Sequence, residues 1–163
     1  MDNMKIKELR IYRATSKISH PIADATHDIS EIAFYILEAE TVGGITGQGY
    51  LLSFHYSPNA IEGALKDLRK FIMEREYSVY QTQEIQQAYE IESEYFGIVG
   101  LQRWALATLN VALWDAYAKT LHQPIWKLLG CHTKKIPVYG SGGWISYSDQ
   151  ELIDEVVDYK KRG

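Results

Sequence analysis

At 163 residues, with 46% hydrophobic and 23% charged side chains, the chain has room for one domain, or for a domain and part of another, with a core of its own. A formal net charge of −4 lacks the basic excess of a general nucleic-acid binder, so no nucleic-acid partner is expected. No apolar run reaches the ~18 residues that begin to read as a membrane span, and Met1 to Lys7 has no signal-peptide pattern, so neither membrane insertion nor export is expected.

The first fifty-odd residues read as strands. Lys5 to Ala14 alternates, with Leu9 and Ile11 on one side and Arg10 and Tyr12 on the other. Ser19 to His27 is polar and contains Pro21, which predicts a loop. Ile29 to Glu40 has apolar residues at both parities, which predicts a central strand covered on both faces. Gly43-Gly44 supplies the positive φ that tight hairpin turns need, and Ile45 to Phe54 is the return strand of a three-stranded antiparallel meander.

Helices follow. Ser57-Pro58 reads as an N-cap and first helical position, with Ile61, Ala64, Leu65, Leu68, Phe71 and Ile72 at helical spacing behind it. A second helix is predicted over Thr82 to Ser93. The next runs from Leu101 to Leu121 and is apolar nearly all round, which predicts burial between layers. Pro124 opens a short helix over Ile125 to Leu129, and Gly130 suits its end. Ile136 to Tyr139 is predicted as a short strand. Ser148-Asp149-Gln150-Glu151 fits a capping box ahead of a last amphipathic helix, which ends in Lys160-Lys161-Arg162-Gly163. A strand followed by a helix is the first part of a βαβ unit, whose returning parallel strand is still to come. The natural product is therefore expected to continue past Gly163, or to take its missing layer from another chain.

Three stretches carry a family resemblance. Ile32 to Pro58, with its LEAETVGGITGQGYLLSFHYSP, resembles the second and third cap-domain strands of the enolase superfamily, in its mandelate racemase and muconate-lactonizing enzyme family. LQRWALATLNVALWDAYAK, Leu101 to Lys119, resembles that family's long helix with its ALWDAxAK ending. QPIWKLLG, Gln123 to Gly130, is similar to its xPLxKLLG element and is followed by KKIPVYGSGGW, which looks like a first barrel strand. The resemblance implies an α+β architecture. Residues 1–130 would form an enolase-like N-terminal cap of three antiparallel strands followed by helices. Residues 131–163 would be the first β/α unit of an incomplete TIM-type barrel.

The implied chemistry is removal of the proton next to a carboxylate, giving an enediolate held by Mg²⁺. The implied enzyme is an acid racemase or acid-sugar dehydratase acting on a small carboxylate. A cycloisomerase or dipeptide epimerase of the same superfamily is the alternative, and a non-catalytic, self-associating module is a third reading. The family's catalytic base and metal carboxylates lie on later strands, so no catalytic residue and no metal ligand is assigned here, and the chain alone is expected to be inactive. A homo-oligomer is expected.

Substrate contact is expected from three loops. In Ser19 to His27 the candidates are His20, Ile22 and Asp24, against a plain solvated loop. Phe54, His55 and Tyr56 follow the third strand, against aromatic packing at a strand end. Ser141 and Trp144 flank Gly142-Gly143 at the carboxyl end of the expected barrel strand, where barrel sites lie. Asp115, inside an apolar helix, reads as a structural ion pair or hydrogen-bond acceptor. Glu90, Glu92 and Glu94, like Asp154, Glu155 and Asp158, read as solvated acidic faces. His122 and His132 lack ligand spacing. Cys131 is the only cysteine, which excludes an intrachain disulfide and suits a reducing cytoplasm.

Overall fold

A computed structural model describes every residue except Met1, His55, Phe96, His132 and Lys134. A short 3-10 turn at Asp2–Met4 leads into three strands: β1 (Ile6–Ala23), β2 (Asp28–Thr41) and β3 (Thr46–Ser53). They form one antiparallel sheet in the order β1-β2-β3, the expected meander. The turn between β2 and β3 needs its glycine: Gly44 has φ +82, and Gly44 N–H donates to Thr41 O across it.

Among the described residues five helices follow: α1 (Pro58–Met73), α2 (Thr82–Glu92), α3 (Leu101–Thr120), α4 (Ile125–Leu128) and α5 (Asp149–Arg162). The core lies between one face of the sheet and helices α1 to α3. Leu9, Tyr35, Leu37 and Ala39 from the sheet meet Leu65, Leu68, Leu109, Leu113 and Ala116 there. α3 lies closest. Gly47 and Gly49 of β3 touch its backbone, and a Cβ on either would run into the carbonyls of Ala112 and Thr108 respectively. Asp115 has the structural role expected of it. Its carboxylate accepts from Gln48 N–H (2.8 Å) and Lys119 Nζ (2.7 Å), while Lys119 Nζ also donates to Thr46 O (2.9 Å). Helix and edge strand are thereby pinned together.

Several expectations change. β1 runs to Ala23, so the predicted loop shrinks to Asp24–His27. Ile22 and Ala23 pair with Ile29 and Asp28 after a register shift beyond Lys17. A polar composition does not prevent pairing, and β1 is an edge strand, where Pro21 is tolerated. β2 is covered on one face only: Phe34, Ile36, Tyr50 and Leu52 share the other face and remain partly or fully exposed. α3 is likewise open on one side, with Trp104 52% and Val111 50% exposed. Ser57 does not cap α1 through its side chain. It sits at φ 46, off the extended backbone that N-caps use.

Ile136–Tyr139 forms no ladder among the described residues, and Ile136, Val138 and Tyr139 are 75%, 85% and 89% exposed. An extended segment becomes a strand only by pairing, and no strand among the described residues lies beside it. The capping box of α5 is as predicted: Glu151 N–H donates to Ser148 Oγ (3.3 Å) and Ser148 N–H to Glu151 Oε2 (2.8 Å). α5 buries none of its residues.

Candidate functional site

The β1–β2 hairpin rises past the end of β3 and closes in a tight tip. Asp24 builds that tip. Its Oδ1 accepts from Thr26 N–H (2.7 Å), Thr26 Oγ1 (3.0 Å) and His27 N–H (2.8 Å), and His27 Nδ1 lies 3.1 Å away. These contacts, the Thr26 amide first and the His27 ring next, hold the Asp24 carboxyl at about 2. Asp24 is therefore ionised at neutral pH, with Oδ1 committed to its own turn.

The tip gathers two of the other predicted loops. The His27 ring meets Tyr56 edge-on at 5.6 Å between centroids, and Tyr56 meets Phe54 in the same manner at 6.4 Å. The aromatic end of β3 thus abuts the hairpin. From the other side, Ile145 N–H donates to Ala23 O (3.1 Å) and Ser146 Oγ to Pro21 O (2.9 Å). Those residues follow Ser141 and Trp144, so residues distant in sequence converge on one end of the sheet. His20 and Ser141 are exposed, while Ile22, Phe54 and Trp144 are half-buried. The Ser141 carbonyl accepts from Tyr159 Oη (2.9 Å). His55 lies outside the described residues.

Sequence reasoning missed Ile145 and Ser146 as contacts, and took His27 only as the last residue of the candidate loop. Their only local signal was proximity to the loops singled out. The described residues contain no group of three or more His, Cys, Asp or Glu side chains able to hold a metal ion. Two carboxylates near the tip are already engaged: Glu155 accepts from Gly143 N–H (2.8 Å) and Tyr147 Oη (3.1 Å), and Glu151 caps α5. They do not make a Mg²⁺ site. A separate groove of about 930 Å³ lies between the β2–β3 turn and the end of α3, lined by Gly44, Asp115, Lys119, His122 and Trp126. None of the described helices is long and apolar enough to cross a membrane.

Comparison with known proteins places this geometry. The family model described as the N-terminal domain of mandelate racemase / muconate lactonizing enzyme matches residues 6–130. A 3,6-anhydro-alpha-L-galactonate cycloisomerase of Streptomyces coelicolor is 28% identical over 123 residues, covering 74% of this chain and 34% of that protein. An arabinonate dehydratase of Saccharolobus solfataricus is 27% identical, covering 97% and 43%. The crystal structure of L-talarate/galactarate dehydratase from Salmonella typhimurium, liganded with Mg and L-lyxarohydroxamate, superposes with a TM-score of 0.86 at 23% identity, over 98% of this chain and 42% of that one. The chain spans less than half the length of the curated relatives it matches.

Proposed function

Because the chain belongs to the mandelate racemase and muconate-lactonizing enzyme family, we propose that it is the cap end of a Mg²⁺-dependent enzyme that abstracts the α-proton of a small, hydroxylated carboxylate. The family match over residues 6–130 carries this reading. Racemisation or dehydration of an acid or acid sugar is favoured, and the arabinonate and talarate/galactarate dehydratases among its relatives support it. Cycloisomerisation is the second reading, supported by the anhydrogalactonate cycloisomerase.

In this reading residues 1–130 are the cap and 131–163 open the barrel. The exposure of Ile136, Val138 and Tyr139, and of Ile153 and Val156 on α5, supports a further layer packing there. Mg²⁺ would stabilise charge developing on the substrate carboxylate. The described residues hold no group of three or more His, Cys, Asp or Glu side chains that could grip it. What the chain's own residues do is line and exclude. The hairpin tip, the Phe54–Tyr56 end of β3 and the Ser141–Trp144 loop surround one mouth. There His20, Tyr56 and Ser141 can hydrogen-bond substrate hydroxyls, while Ile22, Phe54 and Trp144 displace water.

The test is solvent-deuterium incorporation at the α-carbon. The product of the whole reading frame, with Mg²⁺, is offered a panel of aldonates, aldarates and simple α-hydroxy acids. Exchange that is lost with EDTA and strongest for hydroxylated acids is expected. Absence of exchange across the panel overturns the proposal. His20→Ala is expected to raise KM by about tenfold with little change in kcat, as for a group that binds ground and transition state alike.

A further inference from the structure

α5 buries nothing, yet it is not idle. Glu155 accepts the Gly143 amide and the Tyr147 hydroxyl, and Tyr159 donates to the Ser141 carbonyl. The contacts are close enough that a Cβ on Gly140 would strike the Tyr159 ring and one on Gly142 the Glu155 carboxylate. Residues 140–147 are therefore laid against the helix in one shape. That shape presents Ile145 N–H and Ser146 Oγ to the carbonyls of Ala23 and Pro21, across a separation of 125 residues in the Ser146 bond. Carbonyls two residues apart face the same side of a strand, so the pair is taken along one edge of β1 at the tip.

We propose that residues 140–147, braced on α5 by Glu155 and Tyr159, are the seat of the β1–β2 hairpin tip, and that Ser146 and Glu155 are positioning residues that set where His20, Asp24 and His27 stand. This deepens the proposed function and rests on it only for the catalytic consequence. The tip belongs to the cap and the seat to the opening of the barrel, so the latch fixes how far the cap closes over the mouth. Two hydrogen bonds from the seat and one edge-on ring contact, His27 with Tyr56, hold the tip weakly, which suits an element that opens and reseats.

The experiment is residue-resolved amide exchange on the full chain, without metal or substrate. Ser146→Ala is expected to speed exchange of the amides of residues 22–29 by about fivefold, the loss of one ordinary hydrogen bond. Ser146→Thr, which keeps the hydroxyl, should restore the original rates. Glu155→Ala should free the Gly143 amide and, through it, loosen the tip to a similar degree. Amides of α3 should not change in any variant. Unchanged tip exchange in Ser146→Ala overturns the proposal. So does a Glu155→Ala variant that frees Gly143 without touching the tip, or acceleration that spreads evenly into α3. Because these readouts need neither metal nor substrate, a failed deuterium-incorporation assay leaves them standing, and their failure leaves that assay standing.

Discussion

Two glycines inside regular elements have opposite structural demands. Gly47 sits in β3 against the backbone of α3, with no room for a Cβ beside the Ala112 carbonyl. Gly63 lies within α1 and faces open space. Gly47→Ala is expected to destabilise the fold by about 1–3 kcal/mol through overpacking. Gly63→Ala should stabilise it by roughly 0.5–1 kcal/mol, since alanine is the better helix former and restricts the unfolded chain. Urea unfolding of both variants checks the pair. Asp24 makes a pH prediction. Its carboxyl is depressed from 3.8 to about 2 in the folded tip, so its contribution is present above 3.8 and is lost as pH falls towards 2. The Thr26 and His27 amide signals of the folded protein should move around about pH 2, where the folded carboxyl titrates, and Asp24→Asn should remove the transition. The sequence marked Asp24 as a loop residue, but the partners that depress its carboxyl belong to a turn geometry that composition does not encode.

Elements were read best where the signal is local. The hydrophobic spacing of α1, the Gly43-Gly44 turn and the α5 capping box each depend on neighbours within a few residues, and each formed as read. Partners were read worst. Ile136–Tyr139 has strand composition but no neighbouring strand among the described residues, and Ile22 and Ala23, inside a stretch of loop composition, pair with β2. The union of α3 with β3 shows how a helix and an edge strand are made one unit. Asp115 accepts from the Gln48 amide and Lys119 donates to the Thr46 carbonyl, so groups on the edge of the sheet are satisfied by one turn of helix. Asp115→Ala breaks both the amide contact and the ion pair, and is expected to cost about 1–2 kcal/mol. Exchange at the Gln48 amide should rise more than at amides in the centre of β2, and equal rises would refute a local role.

At the scale of the whole molecule, the sequence alone was enough for the meander, the order of the helices and membership of the family. These rest on short-range periodicity, turn chemistry and motif stretches such as Ala112–Lys119. The tertiary structure decided which faces are covered, and it did so against two expectations, for β2 and for α3. It also brought the hairpin tip, the Phe54–Tyr56 end of β3 and the Ile145–Ser146 segment to one place. No local pattern could announce that meeting. Residues such as Pro21 and Ser146 become partners only after the sheet, the long helix and α5 have each been set in space, because a hydrogen bond is selected by distance and direction, not by separation along the chain.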